Sequence, residues 1–212
     1  MTTPTLLRLE EHAALARLTL SGKVLDLGGE KKSGYLRMMK GEYVVTTVNL
    51  DARANPDVVH DLEQPLPFAD ASYDYVLLIN VLEHVYDYRQ LIAEAARVVK
   101  VGGSIVIVVP FLFPVHPSPK DYWRFSADAL TKECAAIPLR TQSLTPLGRG
   151  VFSARYLLID RLMPGFIRWL SFYSLRYVTL FLDMLFAIIA RWTRRKYNPS
   201  DYPLGYLLVA SK

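Results

Sequence analysis

Cysteine is almost missing from this chain. Cys134 is the only one in 212 residues, which excludes an intrachain disulfide and any cysteine-cluster metal site and is compatible with a reducing compartment. Residues Met1–Glu10 lack a basic start followed by a long apolar run, so no signal peptide is expected. Charge of one sign is not in large excess. The net charge is +5, with the basic residues spread along the chain, a poor match to a nucleic-acid-binding surface. Long clean apolar runs are also lacking. Residues 166–190 are strongly apolar, but Arg168, Arg176 and Asp183 interrupt them, and a spanning helix needs about 20 residues with few charges. No internal repeat or low-complexity segment stands out. What is present is 51% apolar residues, enough for a sizeable core and too much for a disordered chain. The length suits one domain with an elaboration.

The order of elements is readable. Leu6, Leu9, Ala13, Ala16 and Leu20 have helical spacing, so a helix is predicted over Thr5–Leu20, ended by Ser21-Gly22. Strands are predicted at Val24–Leu27, Tyr43–Asn49, Val58-Val59, Tyr73–Ile79 and Ser104–Val109, with a short helix over Gly34–Lys40. Leu91, Ile92, Ala95, Val98 and Val99 mark a helix face, and Gly102-Gly103 reads as its terminator. A helix over Ser126–Ala136 has Ser126 as N-cap, and Leu139–Leu144 and Tyr206–Ala210 complete the strands. Apolar strands alternating with helices imply a mainly parallel sheet covered on both faces. Three segments are expected: a core over 1–147, an apolar helical insertion over 148–200, and the last strand over 201–212.

The first strand, Lys23-Val24-Leu25-Asp26-Leu27, runs into Gly28-Gly29. Glycines there let backbone N–H groups come close to a small ligand, because no Cβ intervenes. Further polar residues follow later strands: Asn49-Leu50-Asp51, Asp61-Leu62, and Asn80-Val81-Leu82-Glu83-His84. With Leu66-Pro67-Phe68, Ser72-Tyr73-Asp74 and Glu94–Gly103, this ordered set resembles the class I S-adenosylmethionine-dependent methyltransferases, in particular the type 11 group. The likeness covers roughly residues 20–145, with Tyr206–Ala210 as the family's last strand. It implies a Rossmann-like α/β fold with a seven-stranded, mainly parallel sheet and a helical insertion before the last strand.

The resemblance also implies a site. Asp26 would organise the methionine end of S-adenosylmethionine, with the N–H groups around Gly28 and Gly29 meeting its carboxylate. Asn49 or Asp51 would bind the ribose, Asp61 and the N–H of Leu62 the adenine amine, and Asn80 would lie beside the reacting methyl group. S-adenosylhomocysteine would be the product, and no metal is expected. Glu30 and Lys32 depart from the pattern, because the family's loop has glycines there. Spaced glycines are also what a nicotinamide-dependent oxidoreductase would need for a pyrophosphate. Glu83 and His84 are read as structural, with Glu83 favourable near a helix N-terminus.

Phe111–Phe125 holds three prolines besides Pro110 and five aromatics, so it is a shaped loop leaving the C-terminal end of a central strand. Its run His116–Phe125 is similar to a segment of methyltransferases in surface-polysaccharide and glycolipid pathways. His116 could take a proton from a hydroxyl, with Asp121, Tyr122 and Arg124 touching the acceptor; alternatively His116 packs in a turn and Asp121 simply pairs with Arg124. Neither Asn/Asp-Pro-Pro-Tyr/Phe after the fourth strand nor a Pro-Cys nucleophile is present, which disfavours adenine or glutamine N-methylation and cytosine C5 chemistry. The expectation is a cytoplasmic enzyme that O-methylates a glycan, glycolipid or other amphiphilic metabolite. The alternative is a catalytically silent relative that acts as a binding or membrane-associated partner. Residues 166–196, aromatic and ending in Arg191, Trp192, Arg194, Arg195 and Lys196, suit an anionic membrane face, a homodimer contact or a cover for the sheet.

Overall fold

The computed structural model describes residues 4–160, 162–173, 175–194 and 196–212, without the side chains of 171–173. Arg195, and the side chains of Phe172 and Tyr173, therefore lie outside the described residues. Seven strands form one sheet: β1 (Gly22–Leu27), β2 (Tyr43–Asn49), β3 (Val58–Val59), β4 (Tyr73–Ile79), β5 (Val99–Pro110), β6 (Arg140–Leu147) and β7 (Gly205–Ser211). Their order is β3-β2-β1-β4-β5-β7-β6. The first five pair in parallel, and β7 runs antiparallel to both β5 and β6. Six helices accompany them among the described residues: α1 (Leu6–Leu15), α2 (Tyr88–Val98), α3 (Ala127–Ala135), α4 (Val151–Asp160), α5 (Gly165–Tyr173) and α6 (Leu175–Trp192).

Alternation along the strands builds two cores. Leu25, Leu27, Val76, Leu78, Ile105 and Ile107 meet α2 and α3 on one face. Val24, Leu77, Ile79, Val106 and Val108 meet α1 and α4 on the other. Burial of both faces explains why these strands are apolar throughout instead of alternating with polar residues. Cys134 is buried in the first core, and burial pushes its thiol up to about 11, so it is an inert packing residue.

Three sequence expectations need correction. The first helix ends at Leu15, not Leu20, because the backbone of Leu18 and Leu20 pairs with Lys40. Gly102-Gly103 does not terminate α2. That helix ends at Val98, and the glycines form an irregularity within β5, where Tyr73 pairs with Val99 but Tyr75 with Ser104. Glu83 does not begin α2, which starts at Tyr88 and is capped by Asp87; it is buried in a short 3-10 helix of its own, Leu82–His84. Asp183, which interrupts the apolar tail, has a structural part. It is buried, and its carboxylate accepts the N–H groups of Phe152 (2.8 Å) and Ser153 (2.9 Å) and the Ser153 hydroxyl at the start of α4.

The interval between β6 and β7 holds α4, α5 and α6. Helix α4 packs on the sheet through Ala154, Tyr156 and Leu157. Arg168 pairs with Asp160 at 3.0 Å and ties α5 to α4. Along α6, Asp183 and Ala190 are the buried residues among those described, while Phe181, Met184 and Ile188 are more than half exposed. No described helix is long and apolar enough to cross a membrane.

Candidate active site

The C-terminal ends of β1 and β4 lie side by side in the middle of the sheet, where the connections diverge. Open α/β sheets place ligands at such a switch point. Two cavities meet there. The first, about 310 Å³, is lined by Gly28, Asn49, Leu50, Asp61, Leu62, Asn80, Val81, His84 and Tyr122, among others. The second, about 410 Å³, lies beneath α1 and is lined by Thr5, Leu7, Arg8, Glu11, Phe113 and His116, among others. Asn80, His84 and Ser118 face both.

The glycine turn is held from three sides. Gly28 has φ +84°, and a Cβ there would come within 2.6 Å of Val81, so both backbone conformation and space require glycine. A Cβ on Gly29 would lie 1.9 Å from Asp26 Oδ2. Asn49 Nδ2 donates to the carbonyls of Gly28 and Gly29, at 3.0 and 3.2 Å. The loop beyond the turn manages without further glycines: Glu30 N–H bonds Ser33 Oγ at 3.1 Å, and Lys31 pairs with Asp57 at 2.7 Å. Asp57 in turn accepts from Thr47 on β2, and Lys31 beside it pulls its carboxyl down to about 2.

Asp26 lies directly under this turn, fully buried. Tyr35 donates to its Oδ2 at 2.8 Å, and Oδ1 has no hydrogen-bond partner. Burial pushes its pKa up to about 7. Asn80 adopts a left-handed φ of +52°, a sparsely populated conformation that asparagine tolerates better than most residues. Its Nδ2 donates to Glu11 at 3.0 Å, while its Oδ1 is buried without a partner. Glu11 is the residue that sequence reasoning missed. Burial raises its pKa to about 7 as well. A signal was available, since Leu7, Glu11 and Leu15 share one face of α1, which puts an acid on an apolar stripe.

The other expected site residues divide. Asp61 and Leu62 line the first cavity beside Gly28 and Asn49. Asp51 does not: it pairs with Arg53 at 2.8 Å in solvent. Tyr122 lines the first cavity and packs edge-on against Tyr86, whereas Asp121 and Arg124 line neither and pair at 2.5 Å. Arg124 holds the Asp121 carboxyl well below its ordinary value. Asp121 Oδ2 also accepts the backbone N–H of His116 at 2.8 Å, so this pair shapes the loop around His116. His116 lines the second cavity, its Nε2 lies 3.7 Å from Glu83 Oε1, and its pKa is raised chiefly by Glu83.

Residues 29–107 match the type 11 "Methyltransferase domain" family. A demethylmenaquinone methyltransferase of Thermobifida fusca is 36% identical over 94 residues, which is 44% of this chain and 33% of that protein. The chain thus spans a third of the length of that relative. Among solved structures, a SAM-dependent methyltransferase from Aquifex aeolicus aligns with TM-score 0.52 and 16% identity, over 66% of this chain and 86% of that one. The [4+2]-cyclase SpnF aligns with TM-score 0.59 and 17% identity, over 97% of this chain and 81% of that one. At such identities the structures speak for the fold alone. Residues 29–107 thus carry a type 11 methyltransferase domain, and the strand order around it is that of the class I S-adenosylmethionine-dependent methyltransferase fold.

Proposed function

We propose that the chain transfers a methyl group from S-adenosylmethionine to a hydroxyl of a glycan, glycolipid or other amphiphilic metabolite. The observation that carries this reading is the pair of cavities that meet at Asn80 and His84, one over the glycine turn and one over His116. The residues suit the cofactor. The glycine cradle has no room for a Cβ, and two buried oxygens, Asp26 Oδ1 and Asn80 Oδ1, stand without partners beside it. Gly28, Asn49, Asp61 and Leu62 would hold the adenosyl part, and Asp26 with Gly28 and Gly29 the methionine end. When bound, the cofactor supplies an electrophilic methyl group. The chain's own task is alignment, which supplies much of the rate when the electrophile is already reactive. His116, on the wall of the second cavity, would take the acceptor's proton.

Calorimetric titration with S-adenosylmethionine and S-adenosylhomocysteine tests the donor half, and saturable binding of both is expected. No binding at millimolar ligand would sink the enzyme reading in favour of a binding protein without turnover.

The acceptor's amphiphilic character is supported by the outer helices. Phe166, Trp169 and Ile188 are more than half exposed, and Trp192 is 85% exposed between Arg191 and Arg194, with Lys196 close by. Apolar side chains rimmed by cations suit the surface of an anionic bilayer. The chain should therefore float with anionic vesicles. Replacing Arg191, Arg194 and Lys196 together by alanine should weaken vesicle binding about a hundredfold and abolish flotation at low lipid, since each basic residue near such a surface contributes about 1 kcal/mol. Unchanged flotation, or a dimer in place of vesicle binding, would refute this placement.

A further inference from the structure

We propose that Glu83, His84 and His116 form a binding site for a divalent transition-metal ion on the wall of the second cavity. One donor atom from each of the three lies within 4.8 Å of the others. The inference goes beyond methyl transfer and does not depend on it: with the ion bound, His116 serves as a ligand in place of a base.

Three observations carry it. First, Glu83 is fully buried, and neither of its carboxylate oxygens has a hydrogen-bond partner. A carboxylate in that condition is costly unless something positive answers it. Second, both histidines turn Nε2 toward it, each 3.7 Å from Oε1. Third, both rings have Nδ1 against a backbone carbonyl of the 111–125 loop, His84 against Lys120 and His116 against Pro114. A carbonyl only accepts, so Nδ1 carries the hydrogen and the Nε2 lone pair points inward. Metal-bound histidines are oriented in this manner.

Three lone-pair donors thus face one another. A proton on one ring answers a single contact, and 3.7 Å is too long for a hydrogen bond. A cation answers all three. Zinc about 2.1 Å from each donor would hold them about 3.4 Å apart in a tetrahedron, so the two 3.7 Å separations from Glu83 contract slightly and the one between the imidazoles closes from within 4.8 Å. Two imidazoles and a carboxylate select zinc, manganese or iron over magnesium or calcium. Three protein ligands leave a coordination position open. His84 and His116 line the second cavity, so an acceptor oxygen there could fill it. Asp121, 3.3 Å from His116 Nδ1 and anchored by Arg124, would steady the second ring.

The test uses the full chain without an affinity tag, stripped by a chelator. Zn²⁺ is titrated against a chromophoric competitor, and Co²⁺ is followed by visible absorption. One equivalent of Zn²⁺ is expected, and Co²⁺ should give the intense ligand-field bands of a four- or five-coordinate site. His84→Ala, His116→Ala and the isosteric Glu83→Gln should each weaken Zn²⁺ binding at least tenfold, with circular dichroism confirming the fold. Absence of stoichiometric Zn²⁺ binding by the wild-type chain would overturn the proposal. So would Co²⁺ bands that persist in all three variants, or wild-type Co²⁺ bands as weak as those of the aquo ion. The last criterion stands even if a variant fails to fold. Cofactor titration is a separate measurement, so failure here is distinguishable from failure of the methyltransferase reading.

Discussion

Asp26→Ala should lower the affinity for S-adenosylmethionine by about a hundredfold or more, with the protein still folded. Removing one partner from a buried charged contact costs about 3–5 kcal/mol, and Asp26 is the buried acid beneath the turn. Its Oδ1 has no partner within the chain, so Tyr35 satisfies only half of the carboxylate. The pH dependence sharpens the test. The folded pKa, about 7, lies above the ordinary 3.8. The protonated acid is therefore favoured in the fold. Its contribution to stability is fully present below about pH 4 and is lost as pH rises through about 7. Glu11, also near 7, acts with the same sign. Thermal stability of the ligand-free chain should fall across that window, and Asp26→Asn should flatten the fall. A cationic ligand end reverses the preference, so cofactor affinity should rise through pH 7 in the wild type and not in Asp26→Asn. Calorimetry at several pH values decides, and retained affinity in Asp26→Ala would remove the residue from the site.

Asp183→Ala should destabilise the chain by about 3 kcal/mol or more, read as a shift of the urea midpoint. Asp183 is a single residue of α6 that closes the N-terminus of α4. Two N–H groups of the first turn of α4 would lose their acceptor, with water excluded from the spot. The favourable meeting of a negative charge with a helix N-terminus would go too. Gly150 belongs to the same device, since a Cβ there would strike Asp183 and the Tyr197 hydroxyl at 2.5 and 2.4 Å. Because this contact is a main tie between α6 and the rest, proteolysis should also become faster between β6 and β7. A change below about 1 kcal/mol would mean that α6 is held by other contacts, within the range of ordinary surface substitutions.

Much of the fold was legible because the central strands are buried on both faces. Tyr43–Asn49 and Tyr73–Ile79 could be bounded from their apolar and β-branched content, and the structure has the same bounds. Gly102-Gly103 was legible as a special backbone but not as the right one. Gly102 does have φ +80°, yet a positive φ serves a bulge as readily as a helix end, and only the partner strand decides. The sixth strand runs on to Leu147 through Pro146, which an edge strand tolerates. Gly28, Asn49, Asp61 and Asn80, singled out because each ends or follows a strand in order, line one cavity. Asp51 and Arg124 looked equally available, but both have short-range partners. The burial of Glu83 was not legible, because an acid before a helical run resembles a solvated cap. Burial with no partner is a property of three dimensions, as is the approach of His116 to Glu83 across 33 positions of sequence.

One bond has consequences for how such a chain can change. Leu204 N–H bonds Leu147 O at 2.7 Å, and Gly205 stands opposite Leu147 in the antiparallel ladder. Helices α4–α6 thus leave and rejoin the sheet at adjacent residues, as a loop does at the tip of a hairpin. To the sheet, everything between those residues is one turn. Beyond α4, which packs on the sheet, the sequence there can be lengthened, shortened or replaced without changing strand order or register, while the glycine turn on the far strands keeps its shape. The outer helices can then diverge at a different rate from the sheet that carries the glycine turn.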